Sequence, residues 1–453
     1  MSVPQSSAVG APYDSQLQSA LRQFFDRAAL DTEPTASSSP DVRLAIEPSA
    51  NPAALIIRWF GTRYTLRVPG RWLFTAHEVR LAQAIGAVLA ARYRAILNPQ
   101  IIARRGDLFR GAIEDRYVGA FLDHKAYQIE SEEARADRIA SIIELLRVAA
   151  LSSYENRPIT TGVLLLSTRE DPYRTGRPPV AQAPAYTGSL TAIKSFYRLA
   201  DGVRTLFLAN ANGRLLDIID VERWGSQVGD ARHLQIACAR AYQPHARATM
   251  QHGHVCAVLT PSREIKLFAE GSEIFTFRGA AWHLLDLQAK YRLWAEAVGN
   301  EPLAMRLFQT ALDLADAREG ALFVVVRDPA SFVSMVAAAD RLDIPMPNVE
   351  QAPGAPSRRD LLHLLEGRTA TDLDYSVLAA LASLDGATVF DRTGRLLAAG
   401  AILRHAPLDD AKGEVIEGAR TTAAIAASRF GPVLKVSEDG VITYFDREQV
   451  WEI

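Results

Sequence analysis

The sequence predicts an α/β protein. A mixed central sheet flanked by helices forms the C-terminal part, preceded by a degenerate copy of the same unit and a small α/β domain at the N-terminal end. Three observations carry this reading. The run "ALFVVV" (321–326) is continuously apolar between two helical stretches, as a central strand covered on both faces should be. In "DVRLAIEPSANPAALIIRWFGTRYTLRV" (41–68) the alternation is that of strands, and it gives way to helical periodicity in "TAHEVRLAQAIGAVLAARYRAIL" (75–97). Finally, three blocks recur in the same order, and internal repeats of this kind define a fold.

The first repeated block pairs "ALSSYENRPITTGVLLLSTREDPY" (150–173) with "ALDLADAREGALFVVVRDPASF" (311–332): helix end, polar turn, Gly, apolar strand, Arg and Asp-Pro. The second pairs "LADGVRTLFLANANGRLLDIID" (199–220) with "SLDGATVFDRTGRLLAAGAIL" (383–403), which share Asp-Gly and Gly-Arg-Leu-Leu. The third pairs "ARATMQHGHVCAVLTPSREIKLFAEG" (246–271) with "ARTTAAIAASRFGPVLKVSEDGVITYF" (419–445).

In chain order, residues 1–39 read as a helix ("SQLQSALRQFFDRAAL") running into a Ser/Pro linker ("DTEPTASSSPD", 31–41). Residues 40–120 form the small α/β domain, whose helix opens at Thr75 with Glu78 three residues on, a capping box. Residues 121–298 make a sensor-like domain, the degenerate repeat. Residues 299–453 read helix (Glu301–Asp316), strand, helix ("SFVSMVAAADRL"), Pro/Gly-rich loop ("PMPNVEQAPGAPS"), then helices and the Asp-Gly and Thr-Gly turn signals. The Asp-Gly signal is read as a hairpin, and the chain closes with a helix ("GARTTAAIAASRF") and a final hairpin ("PVLKVSEDGVITYF").

Composition excludes several function classes. The chain has 453 residues, too many for one core, and is 48% hydrophobic and 23% charged, as in ordinary globular protein. A formal net charge of −2 gives no basic field for nucleic acid. Two cysteines, Cys238 and Cys256, make no disulfide framework and suit a reducing compartment. No run approaches the length of a membrane helix, and "MSVPQSSAVGAPYDS" lacks the pattern of a signal peptide, so a cytoplasmic protein is expected. His252, His254 and Cys256 alternate as on a strand, but no second Cys/His cluster accompanies them, so a zinc site is not expected.

Within residues 300–450, "REGALFVVV", "LDGATVFDRTGRLLAAGAIL", "GARTTAAIAAS" and "VLKVSEDGVITYF" together resemble the diadenylate cyclase domain of DisA-type nucleotide-binding proteins. The family's Asp-Gly-Ala is intact as Asp385-Gly386-Ala387, and its Val-Ser-Glu as Val436-Ser437-Glu438. Its Gly-Thr-Arg-His-Arg motif is present only in part, as Gly418-Ala419-Arg420-Thr421-Thr422. The resemblance implies condensation of two ATP molecules to cyclic di-AMP with release of pyrophosphate, in a homo-oligomer whose C-terminal domains face each other.

It also implies roles. Asp385 would take up the 3′-hydroxyl proton or hold the Mg²⁺ or Mn²⁺ that lowers its pKa, with Glu438 assisting the metal. Gly386 and Ala387 would admit the nucleotide. Gly418 to Thr422 would hold phosphates at a helix N-terminus, with Ser437 beside them. Threonines stand where the family has a His and a second Arg, so two cations are missing; Arg358, Arg359, Arg404 and His405 are candidates to replace them. A catalytically silent nucleotide- or cyclic-dinucleotide-binding regulator is the alternative. The middle segment keeps Asp201-Gly202 and Arg247 but has "HARATM" and "TPSRE" in place of the other motifs, so it is expected to be non-catalytic.

Overall fold

The computed structural model describes residues 11–25, 27–34, 44–68, 73–128, 136–167, 184–187, 194–228, 236–342, 363–404 and 418–453. The chain divides into two compact units, Met1–Ala231 with Pro244–Asp286, and Arg232–Gln243 with Leu287–Ile453. The Pro/Gly-rich loop at 345–357 and the candidates Arg358, Arg359 and His405 lie outside the described residues.

In the first unit, α1 (Ala11–Arg22) precedes β1 (Ala29–Pro34), β2 (Ala45–Pro48), β3 (Ala54–Trp59) and β4 (Thr62–Arg67), an antiparallel sheet of order β1-β4-β3-β2. The first part of the stretch read as a linker is therefore strand β1, with Thr32 opposite Tyr64. Asp, Glu and Pro are poor strand residues, but an edge strand that faces water tolerates them. Helix α2 (Ala76–Leu97) opens with the expected capping box, Thr75 and Glu78 satisfying each other's backbone N–H groups. Its buried Leu81, Ile85, Val88 and Leu89 join Ile57, Trp59, Tyr64 and Leu66 in one core. Helices α3 (Pro99–Arg104), α4 (Ile113–Leu122) and α5 (Arg138–Ala150) follow.

That core is continuous with a second sheet. Its strands are β7 (Thr161–Leu165), β8 (Thr205–Ala209), β9 (Leu215–Asp220), β10 (Val255–Leu259), β11 (Ile265–Ala269), β12 (Ser272–Arg278) and β13 (Ala281–Leu284). A short hairpin of β5 (Ser153–Tyr154) and β6 (Arg157–Pro158) precedes them; α6 (Val221–Val228) and α7 (Gln243–Ala248) lie between β9 and β10. The strand order is β13-β12-β11-β10-β7-β8-β9. The β7–β8 pair is parallel and the others are antiparallel.

The second unit repeats this plan. Helices α8 (Leu287–Val298) and α9 (Glu301–Ala317) lead into β14 (Ala321–Val326), α10 (Pro329–Met335) and α11 (Tyr375–Ala382). Then come β15 (Ala387–Asp391), β16 (Leu396–Ala401), α12 (Ala419–Ala427), β17 (Val433–Val436), β18 (Ile442–Asp446) and β19 (Glu448–Glu452). The order β16-β15-β14-β17-β18-β19 is that of the first unit less one edge strand. Again only the pair made by the first strand and the next, β14–β15, is parallel.

Local chemistry matches as well. Asp391 Oδ1 accepts from the N–H groups of Thr393 and Arg395 to close the β15–β16 hairpin, and Asn210 Oδ1 does the same for Asn212 and Arg214 between β8 and β9. These two turns are where the shared Gly-Arg-Leu-Leu falls. The fold is thus mixed α/β with helix-flanked, multi-strand mixed sheets. Among the described residues no helix is long and apolar enough to cross a membrane.

All six residues of β14 are buried, as a run apolar on both faces requires. Leu322, Val324 and Val326 pack with Phe332, Met335, Ala424 and Ala427 on one side. On the far side of the sheet, Trp294 stacks edge-on against Tyr444 and donates its indole N–H to the Ala304 carbonyl. The predicted helix 331–342 is α-helical only to Met335; Val336 turns extended, is fully buried and bridges Leu403, and a single 3-10 turn follows at Ala338–Asp340.

Candidate functional site

Strand register places the three motifs. Because β15 runs parallel to β14 and β17 runs antiparallel to it, the start of β15, the start of β14 and the end of β17 lie at one end of the sheet (Phe323 opposite Thr388, Ala321 opposite Val436). Asp385 precedes β15, Gly320 precedes β14 and Glu438 follows β17. With neighbouring strands about 4.8 Å apart, the backbones carrying Asp385 and Glu438 are roughly 10 Å apart, on either side of Gly320.

Asp385-Gly386 does not form a hairpin turn; it lies in the connection from α11 to β15. Gly386 has φ +111°, and a Cβ there would sit 2.5 Å from the Gly400 carbonyl carbon and 2.7 Å from Ala401 O. Glycine is therefore needed for the close approach of this connection to the end of β16. Ala387 is buried in the sheet opposite Ala401. Asp385 is exposed, and its carboxylate has no hydrogen bond or ion pair among the described residues.

Helix α12 lies over the same end. Its N-cap, Gly418 (φ +95°), gives no side-chain cap, so the N–H groups of Ala419 and Arg420 have no partner within the helix. Arg420 Nη1 lies 2.9 Å from Glu438 Oε1, with Glu438 well exposed. A Cβ on Gly320 would fall 2.4 Å from Arg420 Nη1 and 2.7 Å from Cζ, so the missing side chain at Gly320 is what gives the guanidinium its seat. Thr421 and Thr422 direct their N–H groups to the Gly418 carbonyl. The Thr421 hydroxyl accepts from Lys435 Nζ at 3.2 Å. The Ser437 hydroxyl is used within the β17–β18 turn, where it contacts Asp439 and Val441. Arg404, after β16, donates its backbone N–H to Met335 O and has an exposed side chain.

The site residues named from sequence therefore gather at one sheet end. Asp385 is free there, Arg420 and Glu438 are paired, and Ser437 is tied into its turn. Two further residues stand at that end which the motifs do not name, Gly320 and Lys435. Gly320 gave no local signal, because the group that needs its space comes from a distant helix. Lys435 did give one: a single cation inside the apolar strand "VLKV". Among the described residues no group of three or more His, Cys, Asp or Glu is placed to hold a metal by itself. A Mg²⁺ ion that arrives with a nucleotide needs only one or two carboxylates, the phosphates supplying the rest, and Asp385 fits that demand.

The corresponding end of the first unit is arranged differently. Asp201 Oδ1 accepts from the N–H groups of Val203, Arg204 and Thr205, which hold its carboxyl below the ordinary carboxylate value against the opposing effect of partial burial. His245, fully buried, places Nε2 2.9 Å from the Gly202 carbonyl, and Arg247 pairs with Glu222. The aspartate that is free in the second unit is here a turn-closing group. His254 Nδ1 accepts from Ser167 N–H, and burial pushes the Cys256 thiol up.

Replacing Gly320 by Ala should displace Arg420 from Glu438. Should this end of the sheet hold an anionic ligand, its affinity is expected to weaken roughly ten-fold, the worth of one charge-assisted hydrogen bond, with little change in unfolding temperature. Titration calorimetry beside a thermal melt checks this; unchanged affinity would show that Arg420 does not meet the ligand.

No protein-family model and no curated protein matches the chain. Among solved structures, the chain is similar to a double mutant of DacA from Staphylococcus aureus, at 21% identity over 33% of this chain and 85% of that one, with a TM-score of 0.20. It is also similar to a hypothetical membrane spanning protein from Bacillus cereus, at 18% identity over 32% of this chain and 61% of that one, with a TM-score of 0.23. The chain thus spans less than two thirds of the latter structure.

Proposed function

We propose that the C-terminal unit is a cytoplasmic nucleotidyltransferase that condenses two ATP molecules to cyclic di-AMP, or a closely related cyclic dinucleotide, with release of two pyrophosphates. The observation that carries this reading is the convergence of Asp385, Arg420 and Glu438 at one end of the sheet, beside the open first turn of α12. Leu384 and Ile402, both exposed at that end, offer apolar surface to a base.

The chemistry assigns the parts. A 3′-hydroxyl is a poor nucleophile near neutral pH, so a carboxylate must accept its proton or hold a metal beside it. Asp385 is the group with capacity to spare, since it spends none of its lone pairs on the protein. Mg²⁺ or Mn²⁺, when bound, would lower the hydroxyl's pKa and neutralise phosphate charge. Arg420 and the N–H groups of Ala419 and Arg420 are suited to phosphate oxygens. Glu438 holds Arg420 over Gly320 and so orients it; a metal contact by Glu438 would require that pair to open.

One site holds one ATP, and the attacked α-phosphate must come from another. Two C-terminal units therefore face each other across a two-fold axis in a homo-oligomer. Specific activity is expected to fall on dilution below the dissociation constant of that assembly, a loss that assays at serial enzyme concentrations would reveal. The first unit, with Asp201 consumed by its own turn, serves as a non-catalytic sensor in this reading.

A second reading, a silent nucleotide-binding regulator, is favoured by the neutral Thr421 and Thr422 and by the pairing of Arg420 with Glu438. Incubating the protein with ATP and Mn²⁺ and separating the products by chromatography decides between them. Cyclic dinucleotide and pyrophosphate in a 1:2 ratio support the enzyme. Tight ATP binding with no product supports the regulator, and no binding at all sinks both.

A further inference from the structure

Strand β17 reads "VLKV": Val433, Leu434 and Val436 are buried, while Lys435 is partly buried. Alternation puts Lys435 on the same face as Val433, the face covered by Ala424 and Ala427 of α12. A cation on an apolar sheet face costs desolvation free energy unless an anion compensates it. Among the described residues no carboxylate pairs with Lys435; its hydrogen-bond partner is the neutral Thr421 hydroxyl, 3.2 Å away. The neighbouring cation is matched, Arg420 by Glu438. Lys435 thus brings an uncompensated charge beneath the first turn of α12, where Thr421 and Thr422 bring none.

We propose that Lys435 is a phosphate-binding residue of the site, and that it makes the site selective for a nucleotide carrying a polyphosphate chain. This rests on the nucleotide reading above. A lysine acts on phosphate as a point charge and needs no bidentate geometry, so it works from the side as well as from the helix itself. Thr421 completes the arrangement. Its oxygen accepts from Lys435, which leaves its hydroxyl hydrogen for a phosphate oxygen. The charge is supplied from the strand that follows α12.

The competing role is mechanical, Lys435 merely pinning α12 to the sheet. Two substitutions in the full-length chain separate the roles. Lys435→Met keeps the stem and removes the charge; Lys435→Arg keeps the charge and changes the head. Titrated with MgATP, the Met variant is expected to bind roughly ten- to hundred-fold more weakly than the parent. The Arg variant should stay within about three-fold of the parent, because a phosphate contact needs charge before shape. Lys435→Gln takes the place of the Met variant should that one not fold.

Unchanged affinity in the uncharged variant overturns the proposal. So does an equal loss in the uncharged and Arg variants, since packing rather than charge would then be at stake. A parent protein that binds no MgATP removes the nucleotide reading and this inference with it. A parent that binds as tightly as Lys435→Met removes the inference alone.

Discussion

Asp385→Asn should lower the proposed cyclic-dinucleotide formation by roughly 10²- to 10⁴-fold, the range expected when a general base is lost, and leave the unfolding temperature nearly unchanged. The second half follows from geometry, the first from the proposed chemistry. The carboxylate is exposed and has no hydrogen bond or ion pair among the described residues, so its charge contributes little to folding. Asparagine keeps the size but can neither take up a proton nor hold a metal with comparable strength. A parallel experiment on Asp201 should give the opposite pattern. Its three backbone hydrogen bonds make it a folding residue, so Asp201→Ala is expected to lower stability by about 1–3 kcal/mol. Comparing rate and melting curve for the two variants checks the claim. Equal losses of folding and rate at Asp385 would make it a structural turn residue.

Gly386→Ala costs stability rather than chemistry, and costs much. The new Cβ would lie 2.5 Å from the Gly400 carbonyl carbon, and the φ of +111° suits no other residue. Strain and overpacking together should destabilise the unit by about 2–5 kcal/mol. Gly367 provides the control: its φ is +74°, but nothing lies within 4 Å of an added Cβ. Gly367→Ala should cost only about 1 kcal/mol, through φ alone. Denaturant unfolding of both variants measures the difference. If the two glycines cost the same, the close approach to β16 does not hold the Asp385 connection in place.

These expectations show which features a sequence displays and which it conceals. The capping box at Thr75 and Glu78 was legible because its partners are three residues apart. The paired hairpins at Asn210 and Asp391 were legible as Gly-Arg-Leu-Leu, since turn chemistry is local. So was β14, whose burial on both faces is written in six consecutive apolar residues. Strand β1 was hidden, because "ALDTEP" becomes a strand only through pairing with β4, far along the chain.

The site divides in the same way. Asp385, Arg420 and Glu438 could be named from the motifs, but not the ion pair between the last two. The need for Gly320 arises from Arg420, and Lys435 acquires its meaning only when α12 lies over β17. Gly386 is named from the sequence as a nucleotide-binding residue; that an added Cβ there would meet the backbone at the end of β16 is visible only in the fold. The Asp-Gly and Thr-Gly signals looked alike in sequence, yet one closes a hairpin and the other connects a helix to a strand. Composition cannot separate those cases, because both need positive φ.

The central claim is that the three motif segments form one nucleotide site. A crystal structure of the full-length protein with Mn²⁺ and 3′-deoxy-ATP, which cannot act as a nucleophile, tests it most directly. Phosphates are expected against the first turn of α12 within reach of Arg420 and Lys435, with metal density at Asp385. A second copy should place its own nucleotide opposite. Nucleotide bound elsewhere on the chain, or at α12 but turned away from Asp385, would contradict it.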